Sequence, residues 1–446
     1  MKDQILSLLN AEGLEIYQLK ALLVSMNTVD IAETFDELNI EQTNKLFRIL
    51  PKAIAADVFA YLETDRQQSI IEALNDIETG EIVNSLFVDD AVDLIEEMPA
   101  NVVTKVLQNV PSEKRNLINR ILQYPDDSAG SIMTTEYVDL REDATVREAF
   151  DSIRNTGLNK ETIYTCYVIR RDRLLTGVVS VKTLMLSSPH ERIGDVMDKN
   201  LVFAYTTDDQ EAVAEMFRKY NLIAMPVVDK EQRLVGIITV DDIVDVIIEE
   251  GTEDIEKMGA LTPSDYPYMK TGIFELAKNR FFWLLVLMLS ATITASIIEG
   301  FEGSLALMPI LVAFIPMLMD TAGNAGSQTS TLIIRGMALG EVRLRDFLRV
   351  FWKEIRVALL CGTALAVINF GRIYLMNGRN ILLSFTVSIA LIFTVVVAKS
   401  VGGLLPMLAK RLKIDPAMMA APVITTIADA VSLFIYLLLA RAILML

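Results

Sequence analysis

Pro416-Ala-Met-Met-Ala-Ala-Pro-Val-Ile-Thr-Thr-Ile-Ala-Asp-Ala-Val-Ser-Leu-Phe-Ile-Tyr-Leu-Leu-Leu439 is an apolar run with one carboxylate, Asp429, near its middle. A charge at that depth of a bilayer costs about 3 kcal/mol or more on insertion scales, so it is normally retained for ion or proton handling. Pro422 and Thr425 precede Asp429 by seven and four residues and Ser432 follows by three, which in a helix puts all four on one face. Pro422 offers no N–H, which is expected to leave the carbonyl of Met418 without a helical partner and able to face a cation. The competing reading is a structural Asp bonded to a neighbouring helix.

A second stretch weighs against that competitor. Residues 308–334 are apolar at both ends, but the middle reads Asp320-Thr-Ala-Gly-Asn-Ala-Gly-Ser-Gln328-Thr-Ser-Thr331. Asp320, Asn324 and Gln328 follow at four-residue steps and Thr331 continues their face. Lipid tolerates such groups only where the face looks into protein or water. Ala322, Gly323 and Gly326 let another backbone come close, and Pro316 is expected to free the carbonyl of Val312. Oxygen ligands without Cys or His suit a hard cation such as Mg2+. Two oxygen-lined helix faces in one membrane domain imply a cation path.

Five segments are long and apolar enough to span: about 281–299, 306–336, 347–375, 380–409 and 416–442. Lys270, Lys278 and Arg280 precede the first, whereas the loop 299–304 after it carries no basic residue. Arg343, Arg345, Arg349, Lys353 and Arg356 follow the second span, and Lys410, Arg411 and Lys413 follow the fourth. Positive-inside counting therefore puts the N-terminal half in the cytoplasm and the C-terminus outside. The opening MKDQILSLLNAEGLE has charges within its short apolar run and does not read as a secretory signal, so a multi-pass protein of the cell (inner) membrane is expected.

The 446 residues carry a net charge of −17, divided unevenly. Residues 271–446 hold 15 Lys/Arg against 9 Asp/Glu, and the first 270 hold 26 against 49. An acidic soluble half precedes a mildly basic membrane half, which argues against nucleic acid as a partner. Cys166 and Cys361 lie in different regions and the single histidine is His190, so neither a disulfide framework nor a zinc site is expected.

Residues 1–128 read as short amphipathic helices with a weak internal echo. VDIAETFDEL at 29–38 resembles VDDAVDLIEE at 88–97, and NKLFRILP at 44–51 resembles TKVLQNVP at 104–111. Stacked helical units of a small superhelix fit this pattern. After Tyr124-Pro-Asp-Asp-Ser-Ala-Gly130 two α/β units follow, from about Ser131 to His190 and from about Ile193 to Glu249. LTGVVSVKTL and LVGIITVDDI are one phrase repeated about sixty residues apart. This resembles a tandem pair of CBS modules, a regulatory fold that often binds adenosyl ligands. Its nucleotide-contacting Thr-x-x-Asp maps onto Thr239 and Asp242, while the first unit has Ser180 and Thr183 there. An acidic stretch follows, with Glu249, Glu250, Glu253, Asp254 and Glu256 opening a connector toward the first span.

The whole chain resembles the MgtE family of magnesium channels. The matching residues are Pro316-Met-Leu-Met-Asp-Thr-Ala-Gly-Asn-Ala-Gly-Ser-Gln328, Ile334-Arg-Gly-Met-Ala-Leu-Gly-Glu341, Gly402 with Leu405-Pro406, Asp415-Pro-Ala417, and Pro422-x-x-Thr-Thr-x-x-Asp429. DSAGSIMT at 127–134 and GTEDIEKMGA at 251–260 belong to it as well. The resemblance implies an all-α superhelical domain over 1–128, a CBS pair over 129–249, a connecting (plug) helix over 250–277 and a five-helix transmembrane pore domain over 278–446. It implies a homodimer with a pore on its two-fold axis and no enzymatic activity. Asp429 would be the selectivity carboxylate, with carbonyls near Ala421 and Thr425 and the side chain of Asn324 holding the ion's waters; Gln328 and Asp320 complete the candidate pore. It also implies that cytoplasmic Mg2+ closes the pore by bridging acidic surfaces, at Asp89, Asp93, Asp209, Glu211, Asp242, Asp245, Glu250, Glu253 and Asp254, with Asp415 facing the connector. ATP is a candidate ligand of the CBS pair.

The sequence departs from that family at three places. Ala322 stands where a glycine is common, and Asn221 where an acidic sensing residue can occur, so one inhibitory ion site is expected to be missing. Lys399 lies deep in the fourth span, where it either snorkels to the cytoplasmic face or pairs with a carboxylate. Two rival functions remain: a transporter of the same fold for Co2+ or Mn2+, or for efflux, and an intramembrane aspartyl protease using Asp320 and Asp429. Neither Asp has the Gly-x-Gly-Asp context of the latter.

Overall fold

The computed structural model describes residues 5, 8, 9, 14–35, 37–264, 268, 269, 271–419 and 421–446. The chain divides into two compact units, Met1–Ile247 and Ile248–Leu446.

The first unit opens with short helices that include Thr28–Phe35, Ile40–Ile49, Thr64–Ala73, Asp76–Ser85, Val88–Glu97, Ala100–Asn109 and Ser112–Ile121. Asn39 and Asn75 start two of them with reciprocal capping boxes, each side chain accepting from a backbone N–H three residues on. Helices pack against the next but one in sequence, as in Ile40–Ile49 on Thr64–Ala73 and Val88–Glu97 on Ser112–Ile121. Each short helix has too little apolar surface to stand alone, so stacking buries a continuous core through Phe35, Phe59, Ile71 and Val92.

Two three-stranded sheets follow. In the first, β1 (Asp139–Arg141) pairs parallel with β2 (Thr165–Ile169), which pairs antiparallel with β3 (Leu175–Ser180). The second repeats this with β4 (Ala204–Tyr205), β5 (Ala224–Val228) and β6 (Leu234–Thr239), and the register slips at the corresponding place in each. The repeated glycines Gly177 and Gly236 explain why the phrase recurs. A Cβ at either would collide with a methionine sulfur, that of Met197 or Met133. Thr134 exchanges backbone bonds with Ile237 of β6, and Leu175 and Leu234 bond to the opposite module, so the two modules interlock.

The second unit holds five candidate spans, Ile273–Gly300, Pro309–Ala338, Leu344–Met376, Ile381–Arg411 and Ala417–Leu444. The fourth packs against the second, third and fifth, and the second also packs on the fifth. The first leans on the fifth and buries none of its residues. Gly326 and Gly402 meet backbone to backbone: a Cβ on Gly402 would overlap the Gly326 carbonyl oxygen. Only glycine permits that approach.

Two prolines differ from expectation. Pro316 is the second residue of helix Ile315–Ala338, after a 3-10 stretch Pro309–Phe314, and the Val312 carbonyl accepts from the N–H of Ile315. Pro422 is likewise second in helix Ala421–Leu444, so the Met418 carbonyl lies before the helix rather than on a broken rung. Both prolines fall where helical N–H groups lack partners anyway.

The connector also differs. Helix Val240–Met258 runs unbroken from the last CBS strand through the acidic stretch, then stops at Gly259, with Ala260 left-handed (φ 53°). Described residues between 259 and 272 are not helical, and 265–267 and 270 lie outside the described residues.

Candidate cation path and metal-sensing surface

Helix Ile315–Ala338 is two-faced. Ala322, Gly323, Ala325, Gly326, Thr329 and Ser330 are buried. Asp320, Asn324, Gln328 and Thr331 are all exposed on the other side. The four-residue spacing thus delivers one open polar face. Helix Ala421–Leu444 crosses it at Gly323, where a Cβ would come 3.0 Å from the Thr425 methyl and 3.9 Å from Asp429 Oδ1. Asp429 Oδ1 is buried and has no hydrogen-bond partner among the described residues. Asp320 is near enough for the two carboxylates to repel.

The face expected around Asp429 is split. The hydroxyl of Thr425 donates to the Pro422 carbonyl at 2.9 Å, and Thr426 does the same at 3.0 Å. Ser432 is fully buried, its hydroxyl unpartnered among the described residues, so it points into the bundle. Ala421 is the first residue of its helix, which makes its carbonyl a rung of the first turn. Lys399 is buried and donates to Thr329 Oγ1 at 3.3 Å, which in turn reaches Glu354 Oε2 at 3.0 Å. Among the described residues that lysine pairs with no carboxylate directly and is linked to Glu354 only through the Thr329 hydroxyl.

A second group of acids lies in the first unit. Asp89 and Asp93, on helix Val88–Glu97, face Asp242 at the start of helix Val240–Met258, with Asp90, Asp241 and Glu161 among them. Asp89 is only 8% exposed. Burial raises its carboxyl well above the usual range, and repulsion from Asp242 and Asp90 adds to this. The Asp93 side chain reaches solvent. Desolvation, followed by Asp90 and Asp242, pushes it up to about 7. Burial brings Asp242 to about 6 against the pull of the Thr239 hydroxyl, which donates to it at 2.7 Å. Glu161 rises to about 8 for the same first reason, then through Asp241 and Asp242, and its Oε2 is buried and unpartnered among the described residues. The sequence reading did not nominate Asp90, Asp241 or Glu161 as ligands. The first two sit beside residues that it named, while Glu161 lies in a loop with no signal of its own.

The other nominated acids are differently placed. Asp209 caps helix Gln210–Tyr220 by accepting from the Glu211 N–H at 2.9 Å. Asp245 is exposed, its carboxyl raised by partial burial and by Asp241. Glu250 is half-buried. Lys257 sits between Glu253 (2.7 Å) and Asp415 (2.8 Å), so an ammonium already occupies the gap where an ion was expected. Those two partners hold its own proton more tightly. Asp254 beside them is raised by burial and then by Asp415. Among the described residues no three acids converge closely enough to grip a metal as they stand. The all-carboxylate donor set around Asp242 nevertheless fits Mg2+, which keeps most of its water and needs only one or two carboxylates.

The CBS pair contains a cavity of about 500 Å³ lined by Thr165, Ser180, Thr183, Asp198, Asn200 and Asn221 among others. It opens at the first module's Ser180 and Thr183, not at Thr239 and Asp242, which are occupied with each other beside the acids. Asn221 is left-handed (φ 52°) and closes helix Gln210–Tyr220, a backbone state that Asn adopts readily.

Comparison with known proteins agrees with this architecture. A family described as a divalent cation transporter, MgtE, matches residues 315–439; the MgtE intracellular N domain matches 26–127, and CBS domains match 129–189 and 193–249. The magnesium transporter MgtE of Thermus thermophilus is 37% identical over 430 residues, 96% of this chain and 95% of that one. The chain belongs to the MgtE family. A second MgtE, the magnesium transporter of Bacillus subtilis, is 30% identical over 428 residues, 96% of this chain and 94% of its own length. Among solved structures, the cytosolic domain of the Mg2+ channel MgtE in complex with ATP is 32% identical with a TM-score of 0.52, covering 55% of this chain and 100% of that one. The soluble part of a magnesium transporter is 30% identical with a TM-score of 0.53, covering 56% and 98%. As in other MgtE proteins, a helical N domain and a CBS pair precede a multi-pass membrane domain.

Proposed function

We propose that this chain is a Mg2+-selective channel of the cell membrane that admits the ion and is closed by cytoplasmic Mg2+. The observation that carries the reading is the open face of the second span. Asp320, Asn324, Gln328 and Thr331 stand exposed in the lone chain, beside an Asp429 whose buried oxygen lacks a partner among the described residues. Hydrocarbon does not tolerate such a face, so it looks onto water and a second copy of the chain. A homodimer would then set one Asp429 from each subunit around a shared axis, with Asn324 and the carbonyls near Ala421 and Thr425 holding the ion's waters. Mg2+ sheds its water slowly, which favours recognition of the hydrated ion. The N-terminal half would be cytoplasmic and the C-terminus outside.

Residues 1–128, the CBS pair and the acidic part of helix Val240–Met258 would form the sensor. Asp89, Asp93 and Asp242 repel one another until divalent ions come between them, and binding favours closure in proportion to its preference for the closed state. ATP would enter the cavity at Ser180 and Thr183; a relative's cytosolic domain was solved with ATP bound.

A second reading is a broader divalent cation transporter, as the family description allows and as oxygen ligands permit for Mn2+. Flux into proteoliposomes decides. Mg2+ entry should fall at least a hundredfold in Asp429→Ala, and undiminished flux in that variant refutes the path. Mn2+ or Co2+ entering as fast as Mg2+ would favour the broader reading.

A further inference from the structure

Lys399 lies twelve residues before Arg411, the end of its helix, or about 18 Å along the axis. A lysine side chain does not reach that far, so its ammonium stays well inside the helix's length. The residue is 8% exposed and its ammonium donates to Thr329 Oγ1 of the second span at 3.3 Å. Thr329 Oγ1 lies 3.0 Å from Glu354 Oε2 of the third span. An ammonium can only donate and a carboxylate only accept, so the hydroxyl between them has a single orientation. Three helices are tied by one directed chain.

The position of that chain on the second span is informative. Thr329 follows Asn324 by five residues, which turns it to the side of the helix away from the open polar face. Toward the fourth span the helix presents Gly326, whose close neighbours include backbone at Ala398 and Gly402, while Gly323 meets Thr425 and Asp429 of the fifth span. Glycine contacts allow close approach but carry no side chain to fix how far the helix is rotated. Gly403, with Glu354 Cγ and Thr329 Cγ2 at 3.3 and 3.4 Å from its would-be Cβ, lets the polar chain lie flat against the fourth span.

We propose that Lys399 and Glu354, joined through Thr329, are a positioning pair that keys the rotation of the second span and so aims Asn324 and Gln328 at the ion path. The proposal rests on the reading that this span lines the path. Neither charge touches the ion; both act through the placement of the helix.

The test uses the full chain in proteoliposomes at matched protein content, with Lys399→Met, Glu354→Gln and the double variant. Each single variant should lose at least tenfold in Mg2+ flux and shift the Mg2+ to Mn2+ flux ratio by threefold or more. In the double variant no charge is left uncompensated, so its thermal midpoint should recover. Its ion ratio should stay altered, because Thr329 is no longer held. Thr329→Ala removes the hydroxyl alone and should shift the ratio as well, which keeps the test open if Lys399→Met does not fold. Wild-type flux and ion ratio in Lys399→Met, or in the double variant, would overturn the pair. Asp429→Ala run alongside separates the two levels. Lost flux there with a normal Lys399→Met overturns the pair alone, whereas normal flux in Asp429→Ala overturns the path and the pair with it.

Discussion

Asp242→Asn removes a charge that folding must bury. The carboxyl lies among Asp89, Asp90, Asp93 and Asp241, and burial carries it from its ordinary 3.8 to about 6. A folded-state value above the unfolded one means that the folded chain holds the proton longer. Stability from this group is therefore full below about pH 4 and is lost as pH rises through about 6. Two pH units at about 1.4 kcal/mol each amount to about 3 kcal/mol withheld above pH 7. An asparagine amide oxygen still accepts from Thr239, so the substitution leaves that hydrogen bond in place. Without divalent ions, the variant should match wild type near pH 4 and exceed it by about 2–3 kcal/mol at pH 8. In urea unfolding of a soluble fragment ending at Met258, with a slope of about 3 kcal/mol/M, the midpoints should part by a little under 1 M. Millimolar Mg2+ at pH 8 should close the gap by raising wild type alone. A gap of constant size from pH 4 to pH 8, or a variant less stable at pH 8, would refute the account.

Two further substitutions probe the membrane unit. Gly402→Ala puts a methyl into the Gly326 carbonyl oxygen, which is backbone and cannot yield, so about 1–3 kcal/mol of stability should go. Gly403→Ala meets only side chains at 3.3 Å and beyond and should be milder; equal loss of detergent-solubilised thermal midpoint in the two would contradict the packing argument. Lys257→Gln leaves Glu253, Asp254 and Asp415 facing one another without their ammonium. Half-closure by Mg2+ in a flux assay should then occur at a several-fold lower concentration, and an unchanged or higher concentration would mean that Lys257 does not compete with the ion.

Much of the fold was legible because its signals are local. The five spans follow from apolar length, and the polar face of the second span from four-residue steps, which a helix brings together. The CBS repeat was readable because Gly177 and Gly236 meet the same kind of obstacle in each copy. The prolines were misplaced for a reason of the same kind: Pro316 and Pro422 sit in continuous apolar runs, and nothing local marks the 3-10 turns that make each of them a helix start. Helix Val240–Met258 ran past the expected boundary because Gly251 alone does not stop a helix, whereas Gly259 and Pro263 do. Glu161 could not be found at all, because its importance comes from acids eighty residues further along the chain.

The lysines distinguish the acids that the chain already neutralises from those that it leaves open. Lys399 reaches Glu354 through Thr329, and Lys257 bridges Glu253 and Asp415 until an ion displaces it. Lys114, the cation near Asp89 and Asp90, instead donates to the carbonyls of Leu86 and Asn84. Asp429 and Asp242 form none of the chain's ion pairs among the described residues, although both are hemmed in by protein and each faces a further acid. A buried charge without a partner costs several kcal/mol, which a lysine placed beside it would offset. That the chain places none at these two sites, while placing one at two others, is best explained by an external cation that comes and goes. Ion binding at Asp242 then stabilises whichever arrangement holds the acids together, in proportion to the logarithm of its concentration over its dissociation constant. An acidic surface whose like charges were merely solvated would gain no such dependence, since an exposed carboxylate lacks the burial that raises Glu161, whose Oε2 is enclosed.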